Sequence, residues 1–275
     1  MKRIVLMMIM ASAVSFITGL HADELRRSTD GKENNLQQVK TNEIAPDDKF
    51  KVSHVAGWWS FEGGSAKKVA DKSGNGHDGT VVGANWTPEG LQFQGGSARV
   101  DIADHKDFEI SDNLMIEVEL KFDVQPSAMH NMIVFRGDVR PGYDSYYLNA
   151  NGGKVTFYVN TETKKAYEIS APYKLNEFVK IKAFYSSSRG LMKLFMNGDC
   201  VASKKVHGEI FQKLDPKSKP GIGIGNHCFG GYIMGFAGII KELKISRTTK
   251  NGIPFKDDDA KPKDNSNNTP AEKNN

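Results

Sequence analysis

The chain has 275 residues, 39% hydrophobic and 25% charged, with a formal net charge of +4. Such a length and apolar share suffice for one domain with a full core and exclude a chain too polar to fold. With 37 Lys and Arg against 33 Asp and Glu, and no cluster of basic residues interleaved with aromatics, nucleic acid is excluded as an expected partner.

Residues 1–22 carry Lys2 and Arg3, then an apolar run from Ile4 to Leu20, then a small-residue site at Ala22. That order predicts a secretory signal peptide, with a membrane anchor as the alternative. Ser12, Ser15, Thr18 and Gly19 dilute the run, and no Cys follows it to carry a lipid. Removing residues 1–22 takes two basic groups and no acid, so +4 becomes +2. The expectation is a protein secreted, periplasmic or at the cell surface, without stable membrane insertion once the signal is gone.

Residues 23–51 are polar and lack apolar periodicity, which predicts a disordered arm. Residues 250–275, ending KDDDAKPKDNSNNTPAEKNN, predict a disordered tail. The folded unit is then expected over residues 52–249. It opens on the aromatic run Trp58, Trp59, Ser60, Phe61 and a polar, glycine-rich loop, DKSGNGHDG, at residues 71–79. Short runs with turn signals between them follow: LQFQ at 91–94, ARVDI at 98–102, MIEVELKF at 115–122, MIVFRG at 132–137, YYLNA at 146–150 and KVTFYVN at 154–160. FVKIKAFY at 178–185 precedes MKLFMNG at 192–198, whose Asn197-Gly198 is a strong hairpin signal, and CVASKKV at 200–206. GIGIG at 221–225 and GIIKELKIS at 238–246 close the unit. In 115–122, Ile116, Val118, Leu120 and Phe122 alternate with Glu117, Glu119 and Lys121, the period of a half-buried antiparallel strand. The fold class predicted is all-β: a two-sheet antiparallel sandwich or jelly roll.

Cys200 and Cys228 read as the single disulfide of an exported chain, two separate buried thiols being the alternative. Such a bridge would stabilise by about 3–4 kcal/mol on the chain-entropy account. Asn85-Trp86-Thr87 forms a glycosylation sequon, meaningful only in a eukaryotic secretory host. Glycine spacing in GIGIG, with no helix after it, excludes a dinucleotide loop.

The aromatic strand, the D-x-S-G-N-G loop, LQFQGGSARVDI, NEFVKIKAFYSSSRGLMKLFMNGDCVAS and GFAGIIKELKIS occur in the order found in laminin-G-like jelly rolls. Residues 57–249 resemble that family, which belongs with the concanavalin A-like sandwiches. Phe178 stands where the family usually has Trp, and Lys241-Glu242 where it usually has Asp-Glu. The resemblance implies a structural Ca²⁺ where the first strand, the loop and the last strand meet, with Glu62, Asp71, Asn75, Asp78 and Glu242 as the available oxygens. Lys241 opposes it, and Asx turns of Asp71 and Asn75 within their own loop are the competing account.

Related β-glucan-cutting sandwiches carry E-x-D-x-x-E on one strand. Here Glu117-Val118-Glu119 lacks the Asp and the third acid, so both Glu are read as a solvated face and no catalytic residue is assigned. The ligand candidate is the loop at 136–147, where Arg136, Asp138, Tyr143, Asp144 and Tyr147 combine aromatics, a guanidinium and acids. Asn149 lies just after it, and Phe229 and Tyr232 are near the end of the unit. The expected function is a non-catalytic module for glycan or glycoconjugate, with a cell-surface protein partner as the alternative and a glycan-cleaving enzyme as the weaker one.

Overall fold

A computed structural model describes residues 51–123, 131–140, 142–228 and 234–249, within the unit Lys49–Asn275. The expected signal peptide and tail, and all of the expected arm but Lys51, lie outside the described residues, as do Phe229 and Tyr232.

The described residues form two antiparallel sheets. The first contains β1 (Val52–Ser60), β4 (Asn85–Thr87), β5 (Gly90–Gln94), β7 (Leu114–Phe122), β12 (Phe178–Ser186), β13 (Leu191–Met196), β14 (Asp199–Lys205) and β16 (Ala237–Thr248). Its order is β14-β13-β12-β7-β16-β5-β4, with β1 also on β16. The second contains β2 (Lys68–Val69), β3 (Gly79–Val82), β6 (Arg99–Ala103), β8 (Asn131–Gly137), β9 (Tyr146–Asn151), β10 (Lys154–Asn160), β11 (Ala166–Pro172) and β15 (Gly221–Ile224), in the order β11-β10-β9-β8-β15-β6-β3-β2. This is the sandwich that the alternating runs predict. The last strand, β16, pairs with β7 along one side, and with β5 and then β1 along the other.

The core is built by period two. Ile116, Val118, Leu120 and Phe122 point inward from β7, meeting Leu148 from β9, Val155, Phe157 and Val159 from β10, and Ile222 and Ile224 from β15. Trp59 and Phe61 are fully buried, whereas Trp58 lies on the other face beneath the Lys244 ammonium, 4.5 Å from its ring. Burying each large apolar side chain contributes about 1.5–3 kcal/mol. Outside the core, Glu117 pairs with Lys182 at 3.2 Å, and Glu119 with Lys180 and Lys241 at 3.6 Å each. These two Glu, read from sequence as a solvated face, lie outside the core, partly exposed and paired with lysines.

Two tight hairpins set the register. Asn197 and Gly198, at φ 51° and 97°, join Met196 to its partner Asp199. Gly152 and Gly153, at φ 55° and 76°, join Asn151 to Lys154 and thereby fix every pair between β9 and β10. Both are two-residue turns with left-handed residues, matched to strand twist.

The predicted disulfide is corrected: Cys200 and Cys228 are free. Cys200 is exposed on β14, the edge of the first sheet, whereas Cys228 follows β15, an inner strand of the second sheet, with Sγ against Gly221. Burial pushes the Cys228 thiol up to about 12, which makes it a poor nucleophile. Titrating the native protein with a thiol reagent is expected to label one thiol rapidly, at Cys200, and a second only after denaturation. Two slow thiols, or none without reductant, would contradict this placement.

Candidate functional site

Of the residues read as a ligand site, Arg136, Asp138, Tyr147 and Asn149 are buried, and Tyr143 and Asp144 are half-buried. Arg136 is fully buried, its guanidinium held by Ser145 Oγ at 3.0 Å, Gln212 Oε1 at 2.7 Å and Asp104 at 3.2 Å. Asp138 is also buried; it accepts from the Arg140 side chain, the Arg140 N–H at 2.9 Å and the Asp215 N–H at 2.8 Å. Burial acts to raise its pKa, but the hydrogen bonds from Arg140 and Asp215 prevail and hold the carboxylate below its usual range. Both charges are spent on shaping the loop. Tyr143 lies under the Arg140 guanidinium, 4.0 Å from the ring centre, with Phe211 edge-on at 5.5 Å.

Tyr147 joins a row that single residues did not reveal. On the face of the second sheet turned away from the core, cross-strand pairing aligns Gly223, Phe135, Tyr147, Tyr158 and Glu168 across β15, β8, β9, β10 and β11. Phe135 stacks on Tyr147 at 6.3 Å, and Tyr147 on Tyr158 at 4.3 Å with rings 3° from parallel. Met132 and Met234 pack alongside. At the β15 end, the turn after Gly223 folds over the row: a Cβ at Gly223 would lie 2.2 Å from the Asn226 carbonyl oxygen, so only glycine fits. His227 closes that end, edge-on to Phe135 at 5.9 Å. At the other end, one face of Tyr158 is covered by Tyr147, and its second face is turned towards β11, where Glu168 is exposed. Asn149, buried, is paired with Met132 and Thr156 on the same outer face.

Asp144 stands beside this row, close enough to act electrostatically on Tyr147 and Tyr158. Burial, reinforced by the Asp138 charge, pushes its pKa up to about 6. Of the six predicted ligand residues, then, Tyr147, Asp144 and Asn149 belong with the outer face, whereas Arg136 and Asp138 are structural and Tyr143 is stacked in the loop. Phe135, Tyr158, Glu168 and His227 were missed. The Gly152-Gly153 hairpin carried the signal for Tyr158, because a two-residue turn pairing 151 with 154 places residue 158 opposite 147.

The loop at residues 71–79 is tied by one carboxylate. Asp71 Oδ1 accepts from the N–H groups of Trp58 and Ser73 at 3.0 and 2.9 Å; Oδ2 accepts from Ser73 Oγ at 2.7 Å and the His77 N–H at 3.0 Å. The Asp71 N–H donates to Asp78 Oδ1 at 2.9 Å. Asn75 donates its amide to the carbonyls of Val55 and Ala56, at 2.7 and 3.1 Å, where β1 breaks its pairing with β16. Glu62 is exposed beyond the end of β1, and Glu242 lies on β16 opposite Ser60 with Lys244 at 3.9 Å.

A laminin-G model, described as the concanavalin A-like lectin/glucanases superfamily, matches residues 94–252, more than half of the sequence. The chain belongs to that superfamily. No curated protein matches it in sequence. Among solved structures, the botulinum neurotoxin serotype D ligand-binding domain in complex with N-acetylneuraminic acid is similar with TM-score 0.55 and 13% identity, over 72% of this chain and 49% of that one. The serotype G binding domain gives 0.52 and 16%, over 72% and 49%. Trypanosoma rangeli sialidase in complex with sialic acid gives 0.53 and 13%, over 73% and 32%. These likenesses are of fold, and the chain spans about half the length of the toxin chains and a third of the sialidase.

The Ca²⁺ that the superfamily resemblance implies does not fit the residues present. Both Asp71 oxygens are taken by four donors, an Asp78 oxygen by a fifth, and Asn75 presents N–H groups to carbonyls rather than an oxygen to a cation. The loop is held by Asx-type hydrogen bonds instead.

Two predictions follow from the carboxylates. Burial acts to raise the Asp71 pKa, but hydrogen bonds from Ser73, Trp58 and His77 outweigh it and the value falls below normal. Its stabilisation is therefore complete above about pH 4, its unfolded value, and is lost as pH drops through the folded one. Asp71→Ala is expected to cost about 3 kcal/mol by urea denaturation at pH 7, since it orphans the Trp58 and His77 N–H groups. Asp144 has the opposite sign. Between pH 3.8 and about 6 the folded state keeps a proton that the unfolded chain releases, so stability falls as pH rises through that window and is level above it. Asp144→Asn should abolish that slope and stabilise by about 2–3 kcal/mol at pH 7, read from urea midpoints across pH 4–8.

Proposed function

We propose that this chain is an exported, non-catalytic module that binds glycans on the outer face of its second sheet. The reading is carried by the Tyr147–Tyr158 stack, in which Tyr158 is partly exposed and stands opposite the exposed Glu168. An aromatic face beside a carboxylate is the combination that takes the C–H face of a sugar ring and one of its hydroxyls together. Asp144, half-buried beside the same row, adds a polar group. The neurotoxin and sialidase complexes with sialic acids support the class of ligand by likeness of fold, which is an analogy. Export rests on the basic-then-apolar order of residues 1–22.

The absence of catalysis is argued from the acids. Glycoside cleavage needs two carboxylates free to face one bond. Asp144 is tuned as a general acid would be, but its neighbour Asp138 has its oxygens engaged by Arg140 and the Asp215 N–H. Glu117 and Glu119 are ion-paired to lysines.

The test is a glycan array probed with the purified chain and with Tyr158→Ala. Wild-type protein is expected to bind a defined glycan set, and Tyr158→Ala to bind it about tenfold more weakly, the loss of one stacking contact. Silence on every glycan, or equal binding by the variant, would overturn the reading in favour of a protein partner.

A further inference from the structure

Away from the aromatic row, two imidazoles and a carboxylate converge between the loop at 71–79 and the 3₁₀ turn Lys106–Phe108. His77 Nε2 lies 2.8 Å from Asp107 Oδ2, and His105 Nδ1 lies 3.1 Å from the same oxygen. The ligand atoms of the three residues all fall within 4.8 Å of one another, and among the described residues this is the one such group of three His, Cys, Asp or Glu.

The scaffold positions each donor. The His77 N–H donates to Asp71, its carbonyl accepts from Trp59 Nε1 at 2.8 Å, and its ring packs on Phe108 at 4.9 Å. The Asp107 carboxylate is placed by the first turn of the 3₁₀ segment, and its N–H points at His105 Nδ1 at 3.3 Å. The two rings lie 4.6 Å apart, close enough to share one ion, and the His105 side chain is 44% exposed.

We propose that His77, His105 and Asp107 bind a divalent transition-metal ion, with the remaining positions open to water. Two imidazoles and one carboxylate suit Zn²⁺ and its neighbours rather than Ca²⁺, which takes oxygen donors. Zn–N and Zn–O bonds of about 2.0–2.2 Å set tetrahedral ligand atoms about 3.3–3.5 Å apart, within the span of this group. The ion would clip the loop that anchors β1 to the turn that follows β6. This site is independent of the sugar reading.

The experiment is a Zn²⁺ titration of the chelator-treated full chain against a chromophoric competitor, with thermal unfolding in parallel. Wild type is expected to take up one equivalent, to melt at a higher temperature with Zn²⁺, and to keep the ion in excess Ca²⁺. His105→Ala alters an exposed side chain and should retain the fold by circular dichroism, yet weaken binding at least tenfold, as should Asp107→Asn. His207→Ala, remote from the group, should bind like wild type. No competitive uptake by wild type, or unchanged affinity in His105→Ala and Asp107→Asn, would overturn the proposal.

Discussion

A strand offers side chains to two faces, and a sandwich core consumes only one of them from each sheet. The two sheets use their second faces differently. On the first sheet the outer face of β7 and its neighbours is covered by cross-strand Glu–Lys pairs, including Glu117–Lys182 and Glu119–Lys241. Such pairs contribute little to stability but keep a broad sheet soluble. On the second sheet the equivalent positions carry Phe135, Tyr147 and Tyr158. The two faces therefore differ in kind: the first is covered by ion pairs, whereas the second carries an aromatic row in which Phe135 and Tyr147 are buried and Tyr158 is partly exposed.

The loop beside that surface is shaped by charges taken out of water. A guanidinium as deeply buried as Arg136 is costly unless each of its donors finds a partner. Asp104, Ser145 and Gln212 partner Nε and Nη1 from three separate segments, while Nη2 has the Asp104 charge at 3.2 Å but no hydrogen bond. Asp138 does the complementary task, joining Arg140 to the Asp215 N–H. Removing either charge would strand its partners, so these residues fix where Asp144 and Tyr147 stand without being available themselves.

Fold class was legible because period two and turn chemistry are local properties. MIEVELKF, the Asn197-Gly198 hairpin and the Gly-rich β15 could each be assigned from their own residues. The predicted runs leave out β11, although Tyr167, Ile169 and Ala171 alternate strictly with exposed residues, and they leave out the short strands β2, β3 and β4, whose length carries almost no pattern. The site was half legible. Composition pointed to the segment 136–149, but polarity alone does not tell a charge that faces solvent from one that is buried with partners 32 and 76 residues away, as Arg136 is. The disulfide failed for a related reason: compartment argues for oxidation, whereas geometry places the two sulfurs on different sheets.

The pairing of β16 bears on how the chain reaches this structure. The strand made last is the one that joins β1, β5 and β7, and contacts such as Ser53 to Arg247 span 194 positions. Loops of that length must close before the contacts reward closure, which places the protein among slow folders of high contact order. During synthesis the aromatic segment of β1 emerges first and stays unpaired until nearly the whole domain has been made. Its Trp58, Trp59 and Phe61 are thus the residues in most need of shielding from other chains in that interval.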